Sequence, residues 1–204
     1  MKQPTLVLPK GRLYKSIKEL FNKNNIELPD ENSRQYFFEN YFEDCNLFLA
    51  KPKAIPQLIG SKICEFAFCG EDIILNSEYM SEIQQLKHFD DMNKIKIVLA
   101  SKYKNFDDLT KPIKVVATEF TKIASEYFGN IKHTPYYVLN TYGSTEGYTD
   151  ICCDCIIDVC ETGDTLRANG LYINDVIFES CTALFTHISL GDCMLPYCLQ
   201  KIIG

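Results

Sequence analysis

Short apolar runs alternate with segments of helical periodicity along most of this chain of 204 residues. The first run, Thr5–Leu8, is ended by Pro9 and Gly11, which predicts a strand that runs into a turn. Between Leu13 and Phe21 the apolar residues recur at the spacing of one helix face. Because strands that alternate with helices form crossover units, the pattern predicts an α/β fold with largely parallel sheets.

Further strands and helices follow the same two patterns. Strands are predicted at Asn46–Ala50, Glu65–Cys69, Lys94–Ala100, Ile113–Ala117, Thr134–Leu139 and Cys152–Cys160. Helices are predicted at Ile55–Ile59, from Gly70-Glu71-Asp72 onward, at Lys122–Phe128, within Thr162–Asn169 and at Cys193–Ile203. The charged segment His88–Lys94 interrupts the alternation and is the predicted crossing between two lobes.

The charge balance is acidic: 21 lysine and arginine residues stand against 27 aspartate and glutamate residues, so the net charge is −6. This balance argues against a nucleic-acid or anionic-membrane surface, and an anionic ligand requires a local basic pocket. The first residues lack the apolar core of a secretory signal, and no run approaches the roughly 18 apolar residues of a membrane span. Ten cysteines in such a chain are expected to be free thiols. We therefore predict a cytoplasmic protein.

The segment that says most about chemistry is Ile156–Leu171, IIDVCETGDTLRANGL. An apolar strand end is followed by a turn containing Gly163 and then by a short helical stretch. Backbone N–H groups at such a junction, together with the helix dipole, form an anion-binding cradle. Thr162 and Thr165 add hydroxyl donors, and Asp158 lies within reach of sugar hydroxyls. An ordinary junction in which a threonine caps the helix explains the same residues.

Several segments, in chain order, together resemble the ATP phosphoribosyltransferase family of histidine biosynthesis. They are Leu8-Pro9-Lys10-Gly11-Arg12-Leu13, Lys51-Pro52-Lys53-Ala54-Ile55-Pro56, Phe68-Cys69-Gly70-Glu71-Asp72, Ala117-Thr118-Glu119-Phe120, Gly143-Ser144-Thr145-Glu146 and Asp158 through Leu171. Each segment alone is a weak signal, and their order and spacing make the resemblance specific. The length resembles that of the short form, whose catalytic chain works with a regulatory partner similar to histidyl-tRNA synthetase.

The resemblance implies an enzyme that transfers the 5-phosphoribosyl group of phosphoribosyl pyrophosphate (PRPP) to N1 of ATP and releases pyrophosphate. Mg²⁺ enters with both substrates, without a dedicated protein site. The implied fold is two α/β lobes of periplasmic-binding-protein type (type II), with the active site in the cleft between them. Lobe I would comprise residues 1–90 and 175–204, and lobe II residues 91–174. A homodimer and a hetero-oligomer with the regulatory partner are implied as well.

The resemblance also assigns roles to individual residues. It implies that PRPP is bound by Asp158, at the ribose hydroxyls, and by Glu161, Thr162, Gly163, Asp164 and Thr165, at the 5′-phosphate. The residues implied to act in catalysis, by neutralising pyrophosphate or ATP phosphates, are Lys10, Arg12, Arg34 and Lys51. Those implied to bind ATP or the other substrate are Lys10, Gly11, Arg12 and Glu146, the last at a ribose or the metal. The alternative for the basic residues is solvated surface charge.

Some positions depart from the family pattern. Thr121–Ser125 stands where members often have Pro-Asn-Leu-Thr-Arg, and Gly147–Cys153 lacks the usual Ala-Pro. Lys51 replaces an arginine, which turns a bidentate clamp into a point charge, and Asp164 places a negative charge in the phosphate loop. These departures keep open a second function, a non-catalytic PRPP- or nucleotide-binding or regulatory relative of the same fold.

Cys152 and Cys155 form one C-x-x-C, a spacing that metal sites and redox centres use. In a strand these two side chains point to opposite faces, and the sequence has no second such pair to complete a tetrahedral site. We therefore expect buried free thiols and no dedicated metal site. The single residues His88, His133 and His187 are assigned no catalytic role.

Overall fold

The computed structural model of the chain describes residues 3–108, 110–111, 113–133, 135–190 and 195–203. These residues form two compact units, of which unit 1 takes in the chain up to Asn93 and from Cys181 onward, and unit 2 takes in Lys94–Ser180. The backbone therefore enters unit 2 once and leaves it once. Within the described ranges, every helix lacks either the length or the apolar character needed to cross a membrane.

Strands and helices alternate through both units. In chain order the strands are β1 (Thr5–Pro9), β2 (Phe37–Phe42), β3 (Cys45–Ala50), β4 (Phe66–Gly70), β5 (Ile83–Phe89), β6 (Ile95–Ser101), β7 (Lys114–Thr118), β8 (Tyr136–Asn140), β9 (Cys155–Cys160), β10 (Tyr172–Ser180) and β11 (Thr182–His187). The helices are α1 (Arg12–Lys23), α2 (Ile55–Gly60), α3 (Glu71–Leu75), α4 (Thr121–Glu126), α5 (Asp164–Ala168) and α6 (Tyr197–Ile203). This alternation confirms the predicted α/β class.

Each unit is built on one mixed sheet. In unit 1 the strand order is β2-β3-β1-β4-β11-β5, and β1 pairs in parallel with both β3 and β4. In unit 2 the order is β10-β6-β9-β7-β8, and β7 pairs in parallel with both β8 and β9. The remaining pairs are antiparallel. The expectation of largely parallel sheets is therefore wrong, in part because a connection as short as Glu43-Asp44, between β2 and β3, permits only antiparallel pairing.

Both sheets are covered on their two faces. Along β1, Leu6 and Leu8 belong to one hydrophobic cluster and Val7 to another. Along β6, Ile97 and Val98 likewise belong to different clusters. Because a central strand of this kind is buried on both sides, it appears in the sequence as a continuous apolar run.

Most predicted elements match the observed ones within two residues, and several strands are omitted. β9 begins at Cys155, whereas its predicted strand begins at Cys152, which lies in a turn. Strands β2, β5, β10 and β11 are absent from the prediction. Thr134 and Cys193, the predicted first residues of a strand and a helix, lie outside the described residues, and β8 and α6 occupy the described remainder.

Candidate active site

The predicted strand–turn–helix is present in unit 2. β9 ends directly before Glu161, and α5 begins at Asp164. Gly163, between them, has φ of +77°, a left-handed conformation that favours glycine. A Cβ atom at this position would lie 3.1 Å from Nη1 of Arg167. A pocket of about 250 Å³ is lined by residues 159–166, so the structure gathers the predicted phosphate-loop residues around one cavity.

Asp164 is held within this turn by two polar contacts. The Thr162 hydroxyl donates to Oδ2 of Asp164 at 2.5 Å, and Nη2 of Arg167 donates to Oδ1. These two donors hold the pKa of the Asp164 carboxyl below its usual range. The Asp164 side chain is 74% exposed, so its charge is both paired with Arg167 and open to solvent.

Asp158 lies near the carboxyl end of β9, half-buried, and accepts a hydrogen bond from the Val159 N–H at 2.7 Å. Burial raises the pKa of the Asp158 carboxyl, and the nearby carboxylates of Glu146 and Glu119 add to the rise. The Val159 N–H and the Thr145 hydroxyl lower it in part, because both donate to the charged form. Three carboxylates therefore face one another at this edge of the sheet.

Glu119 and Thr145 also lie near Asp158, and their roles were not predicted from the sequence. Thr118 is aligned with Ile157 on the neighbouring parallel strand, so Glu119 follows β7 beside Asp158. Thr145 is buried and its hydroxyl lies 3.0 Å from that of Thr141. In the sequence, a polar residue directly after an apolar run marks Glu119 as a residue at a strand end. Only the strand order shows that this position lies beside Asp158.

Most of the predicted basic residues lie at the carboxyl edge of the unit 1 sheet. Lys10 follows β1 and Lys51 follows β3, and the Lys10 N–H donates to the Ala50 carbonyl at 2.8 Å. Gly11 has φ of +83° and its N–H donates to the Glu31 carboxylate, and Arg12 is the first residue of α1. These residues are therefore neighbours because their strands are neighbours.

Tyr36 belongs to the same edge. Nζ of Lys10 lies 4.3 Å from the centre of the Tyr36 ring, and the Tyr36 carbonyl accepts the Leu49 N–H. Arg34 is exposed and precedes Tyr36 by two residues in the segment that leads into β2. The structure thus places Lys10, Arg34 and Lys51 in unit 1, and the turn with Asp158 in unit 2.

The nine described cysteines are free, and eight of them are buried. Cys152 is exposed, so the expectation of a buried thiol is wrong at that position. Cys152 lies in a turn and Cys155 is buried in β9. The two residues do not share a strand, so the prediction that their side chains point to opposite faces of one strand is wrong. Burial is the leading cause that raises the pKa of Cys153 to about 11, which keeps that thiol protonated.

Comparison with known proteins gives the family of the chain. The family model for ATP phosphoribosyltransferase (HisG) matches residues 51–194. An ATP phosphoribosyltransferase of Caldicellulosiruptor saccharolyticus is 30% identical over 86% of this chain and 84% of its own length. One of Lachnospira eligens is 31% identical over 89% of this chain and 83% of its own.

Solved structures give the same result. An ATP phosphoribosyl transferase (HisG:HisZ) complex from Thermotoga maritima matches with a TM-score of 0.81 and 25% identity, over 98% of this chain and 96% of that one. The periplasmic VFT2 domain of Bordetella pertussis BvgS matches with a TM-score of 0.56 and 10% identity, over 98% of this chain and 86% of that one. The second likeness shows the fold alone.

The mixed sheets of the two units and these likenesses define a phosphoribosyl-transferring protein with the periplasmic-binding-protein fold. The chain belongs to the ATP phosphoribosyltransferase family. It is a pentosyltransferase of histidine biosynthesis, as the resemblance in its motifs implies.

Proposed function

We propose that the turn Glu161–Thr165 binds the 5′-phosphate of PRPP and that Asp158 binds the ribose hydroxyls. The first turn of a helix presents backbone N–H groups that have no partner within the helix. The Thr165 hydroxyl adds a donor to the same pocket, and the Thr162 hydroxyl adds a second when it turns from the Asp164 carboxylate to the phosphate. A half-buried carboxylate such as Asp158 is a strong acceptor for hydroxyl protons.

The basic residues of unit 1 are proposed to act on the phosphates that leave or are carried by ATP. Lys10, Arg12, Arg34 and Lys51 would neutralise pyrophosphate or the ATP triphosphate, and Gly11 lets the backbone of this edge approach the ligand. In unit 2, Glu146 is proposed to bind a ribose hydroxyl or the metal that accompanies the substrates.

The reaction asks little covalent chemistry of the protein. N1 of adenine displaces pyrophosphate at C1 of the ribose, with inversion, and the transition state carries positive charge on the ribose and negative charge on pyrophosphate. Positioning and charge stabilisation then supply most of the acceleration. The carboxylates of Asp158 and Glu146 suit the ribose side of that charge separation, and the lysines and arginines suit the pyrophosphate side.

One observation carries the assignment of the PRPP site: the left-handed Gly163 joins β9 to α5 beside a pocket that is lined by the turn together with Val159 and Cys160 of β9 and Leu166 of α5. A side chain here would bring strain and a close approach to Arg167, so the turn favours a residue without Cβ.

Mg²⁺ is proposed to enter as a complex with PRPP and ATP. The donors near Asp158 fit it, because carboxylate and hydroxyl oxygens are the ligands that Mg²⁺ prefers. When bound, the ion neutralises charge on the departing pyrophosphate. The protein's own carboxylates, Asp158, Glu146 and Glu119, would orient the ribose beside it.

We further propose that the chain works in the cytoplasm as a homodimer and with a regulatory subunit similar to histidyl-tRNA synthetase. The Thermotoga maritima structure, a HisG:HisZ complex, supports a hetero-oligomer. Exposed apolar side chains in unit 2, Tyr137, Tyr142 and Ile151, are available for protein contacts. Coexpression followed by mass measurement of the assembly tests this proposal.

The decisive experiment measures pyrophosphate release from PRPP with ATP and Mg²⁺, by the chain alone and with its regulatory subunit. Release that depends on ATP, with a phosphoribosyl-ATP product identified by mass, is expected in at least the second condition. Gly163→Ala should reduce turnover with PRPP strongly, whereas Gly147→Ala, where a Cβ meets no atom within 4 Å, is the matched control.

The non-catalytic alternative predicts a different pair of results. PRPP would bind, as calorimetry can show, and no pyrophosphate would appear in either condition. That outcome would direct attention to the departures at Thr121–Ser125 and Gly147–Cys153. Loss of both binding and turnover in the wild-type chain would remove the PRPP-site assignment itself.

A further inference from the structure

A cluster of metal-ligating side chains lies in unit 1, on residues that are assigned no role above. Glu71 opens α3, His88 lies on β5, and Cys181 directly precedes β11. One ligand atom from each of the three lies within 4.8 Å of the others. We infer that Glu71, His88 and Cys181 form a binding site for a single Zn²⁺ ion.

The register of three strands brings these residues together. Thr182 of β11 is paired with Gly70 of β4 on one side and with Phe89 of β5 on the other. The residues adjoining these partners in sequence therefore meet at one place at the edge of the sheet. Backbone contacts fix the arrangement further, because the Glu71 N–H donates to the Cys181 carbonyl and the Cys181 N–H donates to Oε2 of Glu71, both at 3.1 Å.

The distances between the ligand atoms suit a tetrahedral ion. Nδ1 of His88 lies 2.9 Å from Oε1 of Glu71 and 3.6 Å from Sγ of Cys181. Sγ of Cys181 lies 3.7 Å from Oε2 of Glu71. Zinc bonds of about 2.0 to 2.3 Å in a tetrahedron place neighbouring ligand atoms about 3.3 to 3.6 Å apart. Small side-chain movements therefore bring all three atoms into contact with one ion.

The second ring nitrogen of His88 has the partner that a zinc-bound histidine usually has. Nε2 lies 3.1 Å from Oδ1 of Asp90, in addition to 3.2 Å from Sγ of Cys181. Histidines that bind a metal through one nitrogen commonly donate the other N–H to a carboxylate, which fixes the tautomer and orients the ring. When Nε2 donates its N–H to Asp90, the lone pair of Nδ1 is directed toward the Glu71 carboxylate. A cation between Nδ1 and the carboxylate then binds to both and relieves the repulsion between them.

The donor set selects a class of ion. A thiolate, an imidazole and a carboxylate are the ligands of zinc, whereas Mg²⁺ and Ca²⁺ prefer oxygen alone. Cys181 is buried, Glu71 is 20% exposed, and His88 is 38% exposed, so the site is closed on the thiol side and open to solvent on the imidazole side. Three protein ligands with an open fourth position leave room for a water molecule.

The site adjoins both places where the chain passes between its units. His88 and Asp90 precede the crossing after Asn93, and Cys181 is the first residue after the return. A bound ion would therefore tie these two segments of unit 1 to each other and to the start of α3.

The test is a metal-binding measurement on the full-length chain after removal of metals with a chelator. Titration with ZnCl₂ by calorimetry is expected to show one ion per chain. Titration with Co²⁺ is expected to give the near-ultraviolet charge-transfer absorption of a cobalt–thiolate bond. Cys181→Ser and His88→Gln should each weaken Zn²⁺ binding by at least about 100-fold, and Asp90→Asn by about 10-fold.

Cys152→Ser is the matched control, because it removes an exposed thiol of the C-x-x-C in unit 2 and leaves the cluster intact. Far-ultraviolet circular dichroism checks that each variant is folded, and Glu71→Gln keeps the test open if Cys181→Ser does not fold. Retained binding with the cobalt–thiolate band in Cys152→Ser supports the proposal. Absence of zinc binding by the wild type would overturn the proposal and leave His88 as a hydrogen-bond partner of Glu71 and Asp90. Loss of binding in Cys152→Ser alone would overturn it in favour of an ion at the C-x-x-C of unit 2.

Discussion

The carboxyl edges of the two sheets differ in the charged residues they carry. In unit 1 the parallel strands β1 and β3 are followed by Lys10 and Lys51 and β4 is followed by Glu71, whereas in unit 2 the parallel pair β7 and β9 leads to Glu119 and Asp158. The same strand arrangement thus presents two lysines and a carboxylate in one unit and carboxylates in the other. The fold decides where ligand groups are offered, and the residues at the strand ends decide which part of a substrate each edge suits.

The largest effect on activity is expected when the positive charge of Lys10 is removed. Lys10→Met should lower kcat/KM by about 100- to 1000-fold, because a charge that stabilises the departing pyrophosphate acts mainly in the transition state. Steady-state pyrophosphate release measures it. Lys15→Met, an exposed lysine on α1, is the control and should change little. If Lys10→Met lowers kcat/KM by less than about threefold, Lys10 is a solvated surface charge without a role at the pyrophosphate.

The next effect concerns the hydroxyl donors of unit 2. Thr162→Ala combined with Thr165→Ala should raise the KM for PRPP by about 30- to 100-fold, because two hydrogen bonds to a charged phosphate are lost. Initial rates at varied PRPP concentration measure this, with Thr110→Ala as a control outside the turn. Unchanged kinetics in the double variant would leave an ordinary capped junction as the explanation of the turn.

Asp158 should affect activity and stability in opposite directions. Since burial raises its pKa, the folded protein binds this proton more tightly than the unfolded chain does, and stability falls as the pH rises through that interval. Asp158→Asn is therefore expected to raise Tm at neutral pH by about 2 to 4 °C, while kcat/KM falls by about 10-fold or more. The gain in Tm should vanish below about pH 4, where both states are protonated.

Thermal unfolding from pH 3 to 8, recorded without substrates, checks the sign. Asp164→Asn is the control, because Thr162 and Arg167 lower the pKa of Asp164 and its replacement should not stabilise the protein at neutral pH. A lower Tm for Asp158→Asn at neutral pH would contradict the expectation that the charge of the half-buried Asp158 destabilises the folded protein.

Most central strands and their following residues were predictable from the sequence and most edge strands were not, although the central β11 was missed and the edge strand β8 was predicted. β1 and β9 are apolar on both faces, so their composition alone marks them. β2, Phe37–Phe42, is largely exposed, and β10 changes register between Ile173 and Asp175 and again between Val176 and Phe178. Bulges of this kind break the two-residue alternation by which a strand is recognised.

Some residues of the candidate sites could not be predicted from the sequence for a similar reason. The turn Glu161–Thr165 is continuous in the sequence, so its residues could be predicted together. Glu119 meets Asp158 only because β7 and β9 are neighbours, and Cys181 meets His88 across β11 and β5 although 93 residues separate them. Such groupings depend on strand order, which local spacing does not encode.

The smallest expected effect tests whether the Asp164 carboxylate in the phosphate turn opposes the function of that turn. Asp164→Ala frees the Thr162 hydroxyl and Arg167, so the KM for PRPP should fall about threefold at low salt. Because Asp164 is exposed, the difference should shrink at high ionic strength. Initial rates at two salt concentrations measure both effects, with Glu126→Ala, an exposed acid on α4, as control. A higher KM would instead show that Asp164 orders the turn. Its contacts with Thr162 and Arg167 would then favour PRPP binding more than its negative charge opposes it.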